Sequence, residues 1–488
     1  MEELPPCFTT SSLTLATAQR LVAAVPNRKG GYDAVNISST RFNLVQRQLG
    51  LPHPVSYAHL VTHLVDNWHE YEGITRNKTS RIRPHRWKDG RLISMDAIGR
   101  SRPARVGSRY LIEADIASCY PSIYTHSLAW ALVGQAQAKA QRNNYDAYFN
   151  QIDILTRKTR RNETNGLLIG PGTSAVAAEL ILSKIDANLR DAGYKFSRFI
   201  DDYRFHAKSA AEGERFTRDL AANLATMSLQ MNHRKTKLVQ LPAPGTPTWI
   251  RELTSKIPKS KNLRTSEALN LIDYAIELTG EFPDASALKY ALTVIEKTVS
   301  SSKSSKLDHK MLVSTLCRLA FHRPVALPFL VRTILEKPQF FTDSVAQDLD
   351  HILREHASYN RTDAITWILF ALIKTGRSPS AKAAAAVLAS KDCMSLVLLS
   401  RSSEPQTRND VQVFAQGLLT APVENYELDR YWPLVYDLFK RNELASVGEM
   451  NVAFKILKEG GFDLVELASP DLRRPVGPRG RDPYALLA

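Results

Sequence analysis

A break in hydrophobic patterning at "LPAPGTPTW" (Leu241–Trp249) divides this 488-residue chain into two kinds of structure. Upstream, the pattern is mixed. "YLIEADI" (Tyr110–Ile116) alternates, with Tyr110, Ile112, Ala114 and Ile116 on one face and Leu111, Glu113 and Asp115 on the other, the period of a strand. "RLISM" and the two arms around Asp201–Asp202 also predict strands. Between them "SAVAAELILSKIDANLRDAG" predicts a helix, with Thr173 or Ser174 as its cap and Gly193 at its end. Downstream, alternation nearly disappears. Leu269, Ile272 and Ile276 have helical spacing, as do Leu312, Leu316 and Leu319, and Ile365, Leu369 and Leu372. Breakers at "GEFPDAS", "FHRP", "EKPQ", "TGRSPS" and "SEPQ" predict roughly ten helices in antiparallel pairs. A period near ~40 residues suits a HEAT-like stack, but there is no strict repeat, and an irregular bundle is the alternative. The expected organisation is an α+β domain over 1–250, an α-helical domain over 251–468, and an extended Pro/Arg-rich tail over 469–488.

Within the first part, "RFIDDYRFH" (Arg198–His206) places two adjacent aspartates among strand-forming aromatic and β-branched residues. Asp is a turn-former, so Asp201 and Asp202 fit the tight turn of a hairpin. Turns usually add Gly or Asn, and neither is present. A third acid, Asp115, ends the "YLIEAD" strand, and a glycine-rich loop lies between the two acidic elements. Carboxylates from two neighbouring strands can hold two Mg²⁺ ions about 4 Å apart, one to activate an attacking hydroxyl and one to neutralise a triphosphate. Mn²⁺ would serve the same ligands.

Composition narrows the partners. The net charge is +15, which attracts phosphate-rich molecules. In "RNKTSRIRPHRWKDGRLI" (Arg76–Ile93), seven basic residues stand against the single acid Asp89, with Trp87 among them, a composition that suits nucleic acid or a nucleoside triphosphate. No apolar run is long enough for a membrane span. "MEELPPCFTT" does not read as a secretory signal. Cys7, Cys119, Cys317 and Cys393 are scattered without a CxxC pair, which fits a reducing cytoplasm.

Four segments together resemble reverse transcriptases. "EADIASCYPSIYTH" is similar to motif A, "NGLLIGPGTSAVAAEL" to motif B and "FIDDY" to motif C. "LQMNHRKTKLVQL" (Leu229–Leu241) is similar to motif D, with Lys235–Thr236 in an Asn-x-x-Lys-Thr pattern. One such motif is weak; four in order carry weight. "SSTRFNLVQRQLGLPHPVSYAHL" and "YPSIYTHSLAWAL" further resemble the bacterial abortive-infection reverse transcriptases, the AbiK group and its prophage-borne relatives. That resemblance implies a fingers–palm domain followed by a helical domain in place of a thumb. It also implies phage defence, untemplated DNA synthesis primed by a protein hydroxyl, and a closed homo-oligomer, trimer or hexamer.

The resemblance assigns expected roles. Asp115 and Asp201 would be metal ligands, with Asp202 a supporting acid. Tyr120 matches the aromatic gate that excludes a 2′-hydroxyl. Gly170, Pro171 and Gly172 would let backbone approach the nucleotide. Ile169 departs from the Gln that templated enzymes often carry before the first motif B glycine. Lys88 and Arg91, or alternatively Arg41 and Arg47, would clamp the triphosphate. Lys235 would donate a proton to pyrophosphate or else be a surface lysine. Glu113 is expected to be a surface acid, and Cys119, His126 and His206 to have no role in the site. Tyr32, in the glycine-flanked "RKGGYDAVN", is the candidate priming hydroxyl, with Tyr484 or a Ser or Thr as alternatives.

The expected function is Mg²⁺-dependent DNA synthesis from dNTPs, with single-stranded DNA left attached to the protein. The alternatives are an RNA-templated reverse transcriptase with a noncoding RNA partner, and an inactive nucleic-acid-binding scaffold.

Overall fold

In a computed structural model of the chain, the structure describes residues 3–41, 44–88, 91–97, 106–258, 263–301, 307–421 and 426–468. Residues 85–88, 91–92, 94–97 and 299–301 are described by backbone alone. The expected tail over 469–488, with Tyr484, lies outside the described residues.

Among the described residues, eight strands form three sheets. β1 (Val35–Thr40) and β2 (Gln46–Leu51) make one antiparallel hairpin, and β3 (Ile82–Lys88) and β4 (Arg91–Ala97) make another. The third sheet has four antiparallel strands in the order β6-β7-β5-β8: Phe196–Phe199, Asp202–Ala207, Tyr110–Ala114 and Lys237–Gln240. The alternation read in "YLIEADI" produces β5, whose Ile112 and Ala114 are buried. Tyr203 and Phe205 of β7 and Phe196 of β6 are buried too. Against this face lies the helix Ala210–Thr226, and the Phe205 and Phe216 rings stack at 4.4 Å. Gly213 packs closely there: a Cβ would stand 2.7 Å from Ile112 Cδ1. Glu113 and Arg204 pair at 3.1 Å, both partly exposed, so Glu113 is a surface acid.

The glycine-rich segment leads into the helix Gly172–Asp191. Neither Thr173 nor Ser174 is its cap. Pro171 occupies that position, and both hydroxyl residues are buried inside the helix. Gly193 does end it, at φ 89°, with its amide donating to the Arg190 carbonyl.

Beyond residue 250 the described residues are helical. Thr265–Glu281, His309–His322, Asp343–Ser358 and Ala381–Ser390 pack in succession as one layer. Ala287–Ser301, Leu327–Glu336, Thr362–Lys374 and Cys393–Leu399 form a second layer, each beside its partner in the first. First-layer helices start 34 to 44 residues apart, near the period expected for a stack of helix pairs. One face was misread. In Thr265–Glu281 the buried stripe is Ala268, Leu271, Ile272, Ala275 and Leu278, while Ile276 is exposed. Large residues drew the reading, although Ala268 and Ala275 complete the apolar stripe. The helix Thr248–Ser255 straddles the expected boundary at 250 and packs on the first two helices beyond it.

The ends of the described chain meet. Phe8 bridges Val465, the Thr9 amide donates to the Leu464 carbonyl at 3.0 Å, and the Glu466 amide donates to the Cys7 carbonyl at 2.8 Å. The four cysteines are buried and free. No described helix is long and apolar enough to cross a membrane.

Candidate active site

Antiparallel pairing brings the carboxylates together. Ala114 of β5 lies opposite Tyr203 of β7, so the next residue along, Asp115, comes out beside the start of β7. Phe199 pairs with Asp202, leaving Ile200 and Asp201 as the two-residue hairpin turn. Asp115, Asp201 and Asp202 each offer a carboxylate oxygen, all within 4.8 Å of one another. Ile200 has φ 56°, a conformation that a β-branched residue rarely adopts. The absent turn glycine is thus explained by strain that the surroundings hold in place.

Those surroundings centre on Arg198, 0% exposed. Its Nη1 donates to the Ile200 carbonyl at 2.7 Å. Its remaining donors meet Glu179 at 2.9 and 3.0 Å and Asp186 at 3.0 and 3.1 Å, both on the helix Gly172–Asp191. Asn77 and Thr79 donate to Asp186 as well. The Arg198 amide donates to the Thr79 carbonyl, and the Arg81 amide to the Arg198 carbonyl, joining the start of β3 to β6. The sequence reading passed over this network. Its signal was a lone basic residue between apolar strand positions, where only an ion pair satisfies a buried guanidinium.

Asp115 has its own supports. Asn232 Nδ2 donates to Asp115 Oδ2 at 3.0 Å, and the Asn232 amide donates to the Asp115 carbonyl at 2.7 Å. Lys235 Nζ stands 3.2 Å from Asp115 Oδ2, its side chain 67% exposed. Thr236 donates from both amide and hydroxyl to the Asn232 carbonyl, so the Asn-x-x-Lys-Thr pattern folds as one turn.

The site carries excess negative charge. Desolvation, then the Asp115 carboxylate, raises Asp201 above the usual carboxylate range, with Lys235 and Arg47 opposing. Asp202 is pushed up to about 6 by partial desolvation, then by Asp201 and Asp115. Three hard oxygen donors with too little cationic compensation fit divalent cations such as Mg²⁺ or Mn²⁺.

Tyr120 is half-buried, on the short helix Cys119–Ser122. Burial raises its hydroxyl well above the ordinary tyrosine value, Asp201 adds to the shift and Arg47 opposes it. Arg47 of β2 therefore lies within electrostatic reach of both Asp201 and Tyr120. Arg41 is exposed at the hairpin turn. Lys88 and Arg91 pair at the end of the β3–β4 hairpin, and their side chains lie outside the described residues. Gly170 is exposed at φ 125°. Gly172 has a packing reason: a Cβ would stand 2.9 Å from the Ile93 carbonyl oxygen of β4.

Tyr32 is a correction. It is 5% exposed, stacked on His53 at 4.2 Å with the Arg28 guanidinium 3.9 Å from its ring centre. It is not the exposed hydroxyl on a mobile segment that the flanking glycines suggested. Those glycines instead admit close neighbours, Tyr426 at Gly30 and the Lys158 backbone at Gly31. Cys119 is buried beside Tyr120, His126 pairs with Asp153 at 2.7 Å, and His206 is a partly buried strand residue.

Comparison with known proteins agrees with this geometry. Residues 74–266 match the family model for reverse transcriptase (RNA-dependent DNA polymerase). None of the curated proteins matches the chain. Motifs and strand pairing coincide with the matched segment, and the chain therefore carries a reverse transcriptase domain and is, through it, a nucleotidyltransferase.

Proposed function

We propose that this nucleotidyltransferase is a DNA polymerase that extends a hydroxyl of its own chain with dNTPs, without a template, in defence against phage. The observation that carries the polymerase chemistry is the convergence of Asp115, Asp201 and Asp202 within 4.8 Å. Asp115 and Asp201 would hold the metal ions, and Asp202 would add charge beside them. When bound, Mg²⁺ supplies activation of the attacking oxygen and neutralisation of the triphosphate. Asn232 orients the Asp115 carboxylate through its 3.0 Å hydrogen bond. Arg47 takes the triphosphate with its planar fork, and Tyr120 lies beneath the sugar. Lys235 donates a proton to departing pyrophosphate on leaving Asp115.

Template independence, protein priming and phage defence are supported by the resemblance to abortive-infection reverse transcriptases. Ile169, standing where templated enzymes often carry Gln, points the same way. So does a stack of helix pairs where a duplex-gripping thumb would follow. The same resemblance supports a trimer or hexamer and a two-part division near residue 250, and the scattered cysteines fit cytoplasmic residence. The primer is a hydroxyl other than the buried Tyr32.

The test is incubation of the pure protein with dNTPs and Mg²⁺, with no nucleic acid added. Single-stranded DNA should remain with the protein on a denaturing gel and in phenol, and protease should release it with a residual peptide. DNA that separates on denaturation, or forms only with template and primer, sinks this reading. The basic stretch Arg76–Ile93 favours the second reading, a templated enzyme. An RNA that co-purifies and is required for synthesis would establish it.

A further inference from the structure

The β1–β2 hairpin joins two places that are far apart in sequence. At one end it reaches the nucleotide site. Arg47 lies on β2, and the Gly50 amide of the same strand donates to the Ile169 carbonyl at 2.9 Å, in the loop before the helix Gly172–Asp191. Gly50 packs so closely on that loop that a Cβ would stand 2.6 Å from Leu168 Cδ2. Along its outer edge the hairpin is fastened to the helical region. The Ser38 amide donates to Thr362 Oγ1 at 3.0 Å, and the Thr40 amide to Asp363 Oδ2 at 2.7 Å. Thr40 Oγ1 donates to Asp363 Oδ1 at 3.1 Å, and Gln46 Nε2 to the Tyr359 carbonyl at 2.6 Å. Thr362 Oγ1 in turn donates to Asp392, which caps the helix Cys393–Leu399.

An edge strand ordinarily presents its free amides to water. Here the first two residues of the helix Thr362–Lys374 take them. That helix has no side-chain bond at its N-cap, Arg361. Thr362 and Asp363 reach to β1, and Asp363 keeps one bond to its own helix, from the Ala364 amide at 2.9 Å. Arg47 lies opposite Ser39, between the two fastened amides of β1. Movement of this edge would move Arg47 directly.

We propose that Thr362 and Asp363 are positioning residues for the incoming nucleotide: by fixing the outer edge of β1 they hold Arg47 at the triphosphate site, so the helical region is a structural part of that site. This rests on the dNTP-polymerase reading above. A purely architectural role for the two residues would alter stability and leave nucleotide affinity alone, which separates the two cases.

The experiment uses the full chain and three variants. Asp363→Ala removes both acceptors. Asp363→Asn keeps an acceptor for the Thr40 amide and can donate to the Thr40 hydroxyl. Thr362→Val keeps the shape and loses the hydroxyl, and it serves if Asp363→Ala does not fold. Asp363→Ala should raise the KM for dNTP about tenfold while kcat stays within about twofold, and Asp363→Asn should recover most of that. Hydrogen exchange over residues 35–51 should quicken in Asp363→Ala. Arg47→Ala combined with Asp363→Ala should be no worse than Arg47→Ala alone, because both remove one interaction. An unchanged KM in a folded Asp363→Ala, additive losses in the double variant, or unchanged exchange over 35–51 would each overturn the proposal. Equilibrium binding of dNTP with Ca²⁺ separates the premises. A wild type that binds dNTP but adds none counts against polymerisation alone, and binding constants then replace KM. A wild type that binds no dNTP overturns both.

Discussion

Asp115, Asp201 and Asp202 repel one another, and that repulsion is what makes the site receptive to cations. Replacing Asp201 or Asp115 with Asn removes a charged ligand and relieves the repulsion together. Either variant should keep the wild-type melting temperature or exceed it, while incorporation falls at least ~10²-fold. Full incorporation by a well-folded Asp201→Asn would reassign the site. Tyr120 is argued from its half-buried position near Asp201 and Arg47. Tyr120→Ala should raise rNTP use relative to dNTP use, read as a ratio of kcat/KM values. An unaltered ratio in an active variant would make Tyr120 a packing residue. At this scale the acids were legible because two carboxylates among strand-formers are hard to explain otherwise. Tyr32 was misjudged because glycine neighbours signal conformational freedom, while a ring's burial depends on what packs over it, here Arg28 and His53.

Among the elements, the β6–β7 hairpin depends on Arg198. With Glu179 and Asp186 both buried against it, Arg198→Met would strand two carboxylates without their cation. A loss of about 3–5 kcal/mol is expected in denaturant unfolding. Converting Glu179→Gln and Asp186→Asn in the same chain should recover part of it; a single variant of wild-type stability would refute the network's importance. The β1–β2 hairpin depends on Asp363 in a pH-sensitive way. Burial raises Asp363 to about 6, against the pull of the Thr40 and Ala364 hydrogen bonds and the Arg361 charge. The folded state therefore favours the protonated carboxyl more than the unfolded chain does. That contribution is complete below about pH 4, the unfolded value, and is lost as pH rises through the folded one. Thermal melts should show wild type losing ground to Asp363→Asn between those limits and no further change above. Wild type gaining on the variant with rising pH would reverse the sign and show that the ionised carboxylate is the favoured form. Strand β5 was legible from alternation, and the arms around Asp201–Asp202 from their aromatic and β-branched residues. The β1–β2 hairpin was not recognised as one, since "NISST" and "QRQLG" have little apolar alternation and the outer edge of β1 finds its partners on a helix more than 300 residues away.

For the whole molecule, the segment ahead of the matched reverse transcriptase residues is folded onto the C-terminal helices. The ring stack of Tyr32 and His53 meets Trp432, Arg28 pairs with Asp429, and the Leu15–Ala24 helix packs on Asn451–Glu459. A chain cut after residue 250 would uncover these contacts and free the outer edge of β1. It should melt well below the full chain or aggregate, checked by calorimetry and limited proteolysis of both. A truncated chain as stable as its counterpart region in the full protein would mean the two parts fold independently. The sequence alone determined the strand and helix periods, the order of the acidic motifs and the change of character near 241–249, because each depends on neighbours a few residues away. It also carried the class of chemistry, since few folds need that acid pattern. Only the tertiary structure decided that Arg198 secures the acidic turn, that Tyr32 is buried, and that helix residues Thr362 and Asp363 hold the β1 edge. Those outcomes depend on which distant surfaces close over a residue, and burial and hydrogen-bond partnership across hundreds of positions leave no local pattern to read.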